Sequence, residues 1–270
     1  MKQIIIIPDI HGRSFWKDAL PYIEDGVSTV FLGDYVDPYL SEGITPNMAL
    51  YNFKEIIRVA KTHDNVHLLI GNHDCTYIDY KADICECRTD YDHLSEIHQI
   101  FKDNIDRFSL YHYIEVSGYP VLFTHAGVHA KWLDMVKQRY DRKTDDVRIL
   151  LDRVMTGLIL HEETALGLLR TVSYLRGGMD NAGSVVWADI REFLGEEGIG
   201  IRQIVGHTQQ LRKETTDESH GWFKWVPGEP VTYGSITGID GLITCIDNHQ
   251  CYYLDDSCEL YGLLGDKKII

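Results

Sequence analysis

Residues 4–12 read IIIIPDIHG, an apolar β-branched run followed at once by a carboxylate, an imidazole and a glycine. The run predicts a buried strand over Gln3–Ile7 that ends at Pro8. Two further apolar runs, Ser28–Leu32 and Val66–Ile70, predict strands of the same kind. The order strand, helix, strand, helix, strand predicts a parallel βαβ sheet, and therefore an α/β protein. The helical patterns between these strands are Ser14–Glu24, with Ser14 as a candidate N-cap, and Thr45-Pro46 to about Lys61.

The rest of the chain mixes helical and strand patterns without a visible repeat or linker. We therefore expect residues 1–270 to form a single domain with a mostly helical insertion at about 129–200. The predicted elements are a helix at Asp92–Phe108, a hairpin of Tyr111–Val116 and Pro120–Thr124, mostly helix from His129 to about Leu169, a Gly-rich loop at Tyr174–Ser184, a strand at Arg202–Val205 and antiparallel strands over the last sixty or so residues.

The composition is that of a globular protein, with 44% apolar and 25% charged residues. Lys and Arg total 26 against 41 Asp and Glu, which gives a formal charge of -15. Such an acidic chain repels phosphate backbones, so nucleic acid is disfavoured as a partner. No stretch approaches the roughly 18 apolar residues of a membrane helix, and the opening run is too short for a signal-peptide core of about 7–15 residues. We expect a cytoplasmic protein without a membrane partner.

The six cysteines include no C-x-x-C pair, and without a secretory signal we expect them to be reduced. Cys85-x-Cys87 near Cys75 is a weak zinc candidate, because a structural zinc site needs four ligands.

Polar residues that can bind a metal ion follow the predicted strands directly. Ligands of parallel α/β sheets bind beyond the carboxyl ends of the strands, so these residues are expected to meet at one rim. Carboxylate oxygen together with imidazole nitrogen suits Mn, Fe or Zn better than Mg or Ca alone. Each block alone is a weak signal, and the joint occurrence of all five carries the prediction. The blocks are Asp9-Ile10-His11-Gly12, Gly33-Asp34-Tyr35-Val36-Asp37, Gly71-Asn72-His73-Asp74, Thr124-His125-Ala126-Gly127 and Gly206-His207-Thr208.

These five blocks resemble the signature blocks of the calcineurin-like metallophosphoesterases. The likeness is greatest to the phosphoprotein phosphatase branch, which includes serine/threonine phosphatases and symmetrical diadenosine tetraphosphatases. The blocks run from Asp9 to His207, about three quarters of the chain. The resemblance implies a two-layer β-sandwich flanked by helices, the four-layer αββα metallophosphoesterase fold, with a dinuclear metal site.

The resemblance also implies a role for each block residue. It assigns Asp9 and His11 to the first metal and Asp34 to a bridge between both metals. His73 is the implied general acid or transition-state electrophile, oriented by Asp37. Two divalent ions are expected as cofactors, manganese first, with iron or zinc as alternatives. The second metal would be completed by Asn72, His125 and His207.

A mechanism follows from such a site. Two metal ions about 3.5–4 Å apart hold a bridging hydroxide of lowered pKa and neutralise charge that builds on the phosphate. Hydroxide attacks phosphorus in line, without a covalent enzyme intermediate. His73, beside the metals rather than on them, is placed to meet the leaving oxygen.

The sequence departs from the family pattern at the substrate side. Many members have a second histidine in a late G-H-x-H block, where this chain has Gln209, so the first metal keeps three protein ligands. The phosphatase branch usually has arginines where this chain has Pro38 and Ile70. Unless another arginine replaces them, we expect weak binding of small monoesters and side activity on diesters. The candidate replacements are Arg13, Arg176 and Arg191, with Arg176 first because Gly177 and Gly178 follow it.

The leading hypothesis is a metal-dependent phosphoesterase that acts on phosphomonoesters, with phosphoserine or phosphothreonine in proteins as one substrate class. The alternative enzyme is a hydrolase of dinucleoside polyphosphates. A third hypothesis is a catalytically inactive metal-binding scaffold. It is less favoured because every implied ligand position and the implied acid are filled. The partner is then a phosphorylated substrate, either a phosphoprotein or a small phosphoester.

Overall fold

The computed structural model describes residues 4–79, 88–140, 142–196, 198–217, 222–234 and 241–264. Its strands are β1 (Ile4–Ile7), β2 (Ser28–Phe31), β3 (Val66–Leu69), β4 (Phe108–Ser109), β5 (Tyr111–Val116), β6 (Tyr119–Thr124), β7 (Arg202–Val205), β8 (Leu211–Asp217), β9 (Trp222–Pro227), β10 (Val231–Gly234), β11 (Leu242–Cys245), β12 (Tyr252–Leu254) and β13 (Leu260–Gly262). Its α-helices are α1 (Leu20–Glu24), α2 (Pro46–Thr62), α3 (Asn72–Ile78), α4 (Leu94–Asp103), α5 (Ala130–Arg139), α6 (Val147–Ile159) and α7 (Glu163–Leu169).

Two larger sheets and one ribbon contain these strands. The first sheet has the order β13-β12-β1-β2-β3-β4, in which β1 to β4 are parallel and β12 and β13 are antiparallel. The second has the order β10-β11-β7-β6-β5, with β11, β7 and β6 parallel and the two outer strands antiparallel. β8 and β9 form a separate antiparallel pair. This architecture confirms the predicted α/β fold with two sheets.

The opening run is apolar throughout because β1 is buried on both faces. Successive side chains of a strand point to opposite faces of the sheet. Ile4 and Ile6 belong to the apolar cluster between the sheets, together with Phe123 of the second sheet. Ile5 and Ile7 belong instead to the cluster that contains the residues of α2. A strand that is covered on both sides reads as a continuous apolar run, as the sequence predicted.

The region between β6 and β7 is helical, as predicted. Trp132 of α5, Leu150 of α6 and Leu166 of α7 are buried in one apolar cluster with Leu122 of β6. These helices therefore cover the outer face of the second sheet. The boundaries of the predicted insertion, and the prediction of a single domain, stay predictions.

The first predicted helix is wrong in part. Residues Phe15–Ala19 form a 3-10 turn, and α1 starts only at Leu20. Pro21 lies in the first turn of α1, where its missing N–H costs nothing, but it could not continue a longer α-helix. Ser14 makes no side-chain capping bond. By contrast, α2 begins as predicted, with Pro46 at its start and Thr45 accepting the backbone N–H of Met48.

Two further predictions need correction. The helix predicted over Asp92–Phe108 is shorter, since α4 ends at Asp103 and Phe108 joins β3 as part of β4. Phe108 packs there against the rings of Tyr35, Phe53 and Phe101, so core packing decides its conformation. The C-terminal strands are also not all antiparallel, because β11 pairs in parallel with β7.

Within the described ranges, no helix is long and apolar enough to cross a membrane. Cys75, Cys245, Cys251 and Cys258 are buried and form no disulfide. Cys85 and Cys87, the weak zinc candidates, lie outside the residues that the structure describes.

Candidate metal centre

The five polar blocks converge where β1, β2, β3, β6 and β7 end. Ligand atoms of one buried group lie within 4.8 Å of one another, and so do those of a second group. Asp34 belongs to both groups, so one carboxylate joins two potential metal positions. The first group is Asp9, Asp34, His125 and His207, and the second is His11, Asp34 and His73.

Asp34 lies between histidines from two different blocks. Its Oδ2 is 3.4 Å from His11 Nε2 and 3.7 Å from His125 Nε2. Its Oδ1 accepts the backbone N–H of His73 at 3.0 Å. One oxygen is thus held by the backbone of the third block, while the other faces imidazoles on either side.

Backbone carbonyls orient two of the imidazoles. His11 Nδ1 donates to the Val36 carbonyl at 3.0 Å, and His125 Nδ1 donates to the Leu32 carbonyl at 2.8 Å. The proton on Nδ1 leaves Nε2 of each ring as a lone pair that faces the centre. Histidines that bind metals are commonly held in this way.

The donor set fits a cation. His125 Nε2 is 3.0 Å from Asn72 Oδ1 and 3.1 Å from His207 Nδ1. With the proton of His125 on its other nitrogen, lone pairs converge at this point, and a bound cation would relieve their repulsion. Mixed oxygen and nitrogen ligands of this kind suit a transition metal or zinc.

Burial and mutual repulsion perturb the carboxylates. Burial raises the pKa of Asp9 to about 6, with His125 opposing the shift and the Asp34 charge adding to it. Burial also works to raise the pKa of Asp34, but the nearby imidazoles of His125, His73 and His11 outweigh it and lower this pKa. Burial lowers the pKa of His11 and of His207 well below the ordinary value, which favours the neutral imidazoles that metals require.

Left-handed backbone is concentrated at this centre. His11, Asp34, Asp37 and His207 have φ angles of 44°, 53°, 57° and 64°. Few residues other than glycine adopt such angles, and each costs of order 1–3 kcal/mol. The surrounding contacts therefore hold the backbone of these four residues in a conformation that the unfolded chain would rarely adopt.

The second and third blocks are locked together by contacts that exclude larger residues. The Asp74 carboxylate accepts backbone N–H groups of Gly71 and Asp34 at 2.8 Å and of Tyr35 at 3.2 Å. A Cβ atom on Gly71 would lie 2.1 Å from Asp34 Oδ1. Burial, with the Asp34 charge, raises the pKa of Asp74 to about 7. The sequence alone gives Asp74 no role. Its hydrogen bonds to the backbone show that it joins the second block to the third.

His73 and Asp37 form the predicted pair. His73 Nδ1 donates to Asp37 Oδ2 at 2.7 Å, and both side chains are buried. The hydroxyl of Tyr77 donates to the other oxygen of Asp37. Burial raises the pKa of Asp37, although the bonds from His73 and Tyr77 oppose the shift. Since His73 also belongs to the second ligand group, geometry alone allows it to act either as a ligand or as an acid.

The three predicted arginines are bound to carboxylates. Arg13 makes two bonds to Glu42, at 2.7 and 2.8 Å. Arg191 pairs with Asp189 at 2.7 Å and its side chain is 57% exposed, so it does not reach the metal centre. Arg176 comes nearest, because it pairs with the same Asp189 at 2.9 Å and donates to Thr208 Oγ1 at 2.7 Å, next to His207.

Sequence analysis missed Arg88 and Tyr39. The Arg88 guanidinium lies 3.7 Å from the centre of the Tyr39 ring, and its Nη2 lies 3.4 Å from His73 Nε2. Tyr39 directly follows Pro38, so its nearness to the second block was a usable signal. Arg88 lies 51 residues from Asp37 and 15 from His73, outside every block, and no local pattern marks it. Gln209 stays at the edge of the centre, where its Nε2 donates to the Tyr39 hydroxyl at 2.8 Å.

One more buried carboxylate was also missed. Asp247 follows β11, is 2% exposed, and has one oxygen without a hydrogen-bond partner among the described residues. Burial raises its pKa well above the ordinary value, and the charges of Asp9 and Asp34 add to the shift. It belongs to neither ligand group.

The two sheets thus bring together, at their strand ends, a buried cluster of carboxylates and imidazoles that could hold metal ions. The sequence model of the calcineurin-like phosphoesterases matches residues 2–211, more than three quarters of the chain. The chain therefore belongs to the calcineurin-like phosphoesterase family, whose members use divalent metal ions, and it is a phosphoesterase with a buried cluster that could hold such ions.

Two solved structures are similar over almost the whole chain. A hypothetical protein from Pyrococcus horikoshii OT3 is 11% identical, with a TM-score of 0.44, and the match covers 97% of this chain and 87% of that one. A metallophosphoesterase from Sphaerobacter thermophilus is 13% identical, with a TM-score of 0.35 and coverage of 96% and 83%. No curated protein matches the sequence significantly.

Proposed function

We propose that this protein hydrolyses phosphomonoesters and that its buried carboxylate and imidazole cluster would hold two divalent metal ions, which would supply the attacking hydroxide. The observation that carries the proposal is the place of Asp34, whose Oδ2 faces imidazoles of two blocks and which belongs to both ligand groups. Asp9 and His11 are proposed ligands of the first metal and Asp34 of both metals, although Asp9 lies in the ligand group of His125 and His207 and His11 in that of His73. Proposed for the second are Asn72, His125 and His207.

Metal ions in such a site lower the pKa of bound water and bind phosphate oxygens, which supplies a nucleophile at neutral pH. The chain's own acid is His73. Its Nδ1 is held by Asp37, so its Nε2 points away from that carboxylate and can deliver a proton to the leaving oxygen. The Asp37 charge favours the imidazolium that this step requires.

Manganese is the first metal to test. The proposed ligands combine carboxylate and amide oxygen with imidazole nitrogen, and no cysteine belongs to either ligand group of the described residues. Oxygen-rich sites with some imidazole accept manganese or iron, whereas zinc competes through its higher affinity for nitrogen.

The side chains of a cavity beside Arg88 support an uncharged or basic leaving group. A cavity of about 610 Å³ opens beside Arg88, and Tyr39, Leu40 and Tyr91 give it an apolar wall. Asp90 and Asp92 also line it, and the chain has a net charge of -15. These features suit phosphoserine or phosphothreonine in a protein better than the polyanionic leaving group of a dinucleoside polyphosphate.

A substrate panel on manganese-reconstituted protein tests the proposal. We expect release of phosphate from p-nitrophenyl phosphate and from phosphoserine or phosphothreonine peptides, and loss of turnover in chelator-treated protein. Faster turnover of diadenosine tetraphosphate than of any phosphopeptide would instead establish the dinucleotide hydrolase. Protein that binds metal and hydrolyses none of these would be a scaffold, and the proposed function would be wrong.

A further inference from the structure

Arg88 lies where a substrate phosphate would meet His73. Its Nη2 is 3.4 Å from His73 Nε2, and its Nε is 3.4 Å from the Asp37 carbonyl oxygen. His73 and Asp37 are the proposed acid and its orienting carboxylate. The guanidinium is therefore next to the nitrogen that faces the leaving oxygen.

The charge of Arg88 has no carboxylate partner among the residues that the structure describes. By contrast, Arg13 pairs with Glu42 within 3 Å. Arg176 and Arg191 both pair with Asp189 within the same distance. A guanidinium that is already bound to a carboxylate has part of its charge neutralised and fewer N–H donors left for a phosphate. Among the described residues, Arg88 alone of these four arginines combines nearness to His73 with a guanidinium that is not paired with a carboxylate.

Tyr39 holds the guanidinium in place. Its ring lies 3.7 Å below Arg88 and makes an edge contact with the ring of His11, at 5.2 Å between centroids. Its hydroxyl accepts the Gln209 side-chain N–H at 2.8 Å. Arg88 is thus placed relative to a proposed metal ligand through one aromatic ring. Gln209, which stands where many family members have a second histidine, holds the Tyr39 ring through this bond.

We propose that Arg88, positioned on Tyr39, binds the terminal phosphate of the substrate and makes the site selective for monoesters over diesters. This proposal rests on the proposed function, since it names a residue of the same site. The 3.4 Å contact with His73 Nε2 is long for a hydrogen bond, and a phosphate dianion is a stronger acceptor than an imidazole nitrogen. On substrate binding the guanidinium therefore moves to the phosphate and leaves Nε2 to carry the proton.

The proposal changes the expectation that followed from Pro38 and Ile70. Because these two positions lack the arginines of the phosphatase branch, the sequence predicted weak monoester binding and side activity on diesters unless another arginine replaced them. Arg88 is that arginine, so monoesters should be preferred. A diester offers one negative charge fewer than a dianionic monoester, and it gains less from a bidentate guanidinium.

The test compares Arg88→Ala, Arg88→Lys and the exposed control Arg58→Ala, all loaded with manganese. For p-nitrophenyl phosphate, kcat/KM of Arg88→Ala should fall about 10- to 100-fold, as expected for hydrogen bonds to a charged group. For bis(p-nitrophenyl) phosphate it should stay within about threefold. Arg88→Lys should recover part of the loss, because it keeps the charge without the fork. Equal losses on both substrates, or none on the monoester, would overturn the proposal.

Tyr39→Leu tests the positioning role. It should reproduce most of the monoester loss, and adding Arg88→Ala to it should cost little more, because the two residues act together. Tyr39→Phe, which keeps the ring and loses the hydroxyl's bonds to Gln209 and Arg88, should have a smaller effect. Fully additive losses would show that Tyr39 does not position Arg88. Metal content is measured in each variant, since Tyr39 also contacts His11.

Binding of inorganic phosphate separates this proposal from the proposed function. Calorimetric titration of the manganese-loaded parent should show phosphate binding, and Arg88→Ala should weaken it by a similar factor to its effect on the monoester. If the parent hydrolyses nothing but Arg88→Ala still weakens phosphate binding, the proposed function fails and the Arg88 site stands. If the parent is active and Arg88→Ala binds phosphate like the parent, the Arg88 site fails alone.

Discussion

The metal centre and the arginine-bearing rim around it are built in opposite ways. The centre takes short side chains from strand ends, buries them and holds them with backbone bonds, as His11 and His125 show. The rim takes long side chains from loops and short 3-10 turns, and the direction of each side chain depends on the partner that it reaches. Arg13 turns to Glu42, whereas Arg88 turns to Tyr39 and His73. Chemistry that needs fixed geometry is placed on the sheets, and recognition is left to the loops.

The largest loss of activity is expected when Asp34 of the metal centre is replaced. Asp34→Asn should reduce turnover to the level of the metal-free protein, because it removes a charge that both metal positions share. The exposed Asp64→Asn serves as a matched control, and it should hydrolyse p-nitrophenyl phosphate like the parent. An Asp34→Asn protein with half the parent's turnover would mean that Asp34 does not bridge the metals.

His73 lies on the boundary between the two regions. His73→Asn should keep the metals but lose roughly 10²- to 10⁴-fold in turnover, the usual range for a general acid. The loss should shrink for substrates with good leaving groups, which need little protonation. A uniform loss across leaving groups points to an electrostatic role, and loss of metal would make His73 a ligand instead.

Gly71→Ala tests how tightly the centre is packed. The added Cβ would meet Asp34 Oδ1 at 2.1 Å, so the carboxylate has to move, and we expect metal affinity or activity to fall about 10- to 100-fold. Gly167→Ala is the control, since nothing lies within 4 Å of its Cβ and alanine favours α7. Unchanged metal affinity in Gly71→Ala would show that the block tolerates a shift of Asp34.

Arg176→Ala sharpens the view of the rim. Arg176 bonds to Thr208 and pairs with the buried Asp189, so its loss should lower the free energy of unfolding by about 1–3 kcal/mol. We expect kcat/KM for a monoester and for a diester to change by the same factor. A selective rise of KM for the monoester would show that Arg176, the first candidate from the sequence, binds the phosphate.

The smallest effect concerns a histidine pair outside the five blocks. The rings of His67 and His112 stack with their centroids 3.9 Å apart, and burial, with the His67 charge, lowers the pKa of His112 to about 4. Between pH 6.5 and about 4 the unfolded chain then binds more protons than the folded one, so stability falls as the pH falls through this range. His112→Gln should flatten the dependence in urea titrations. An unchanged slope in His112→Gln would contradict this assignment.

The difference between the two regions also explains what the sequence could predict. Asp9, His11 and Asp34 follow apolar runs directly, and parallel strands bring their carboxyl ends to one edge whatever the loops do. The side chain of Arg88 belongs to no periodic pattern, and its direction depends on Tyr39 and His73, which are distant in sequence. Its role therefore becomes visible only when the chain is folded.

The same reasoning applies to the misread elements. Ser14–Glu24 has a helical pattern, but Pro21 divides it, and the preceding turn is 3-10. Phe108 continues the apolar pattern of α4, yet the aromatic core draws it into β4. In both places a single residue overrides a periodicity that is otherwise correct.

The metal content of reconstituted protein tests the central claim most directly. Elemental analysis of the parent after dialysis against manganese should give about two ions per chain, and Asp34→Asn should hold clearly fewer at the same free metal concentration. The proposed dinuclear centre would be contradicted by an active parent with a single ion per chain. Undiminished metal in an active Asp34→Asn protein would contradict it equally.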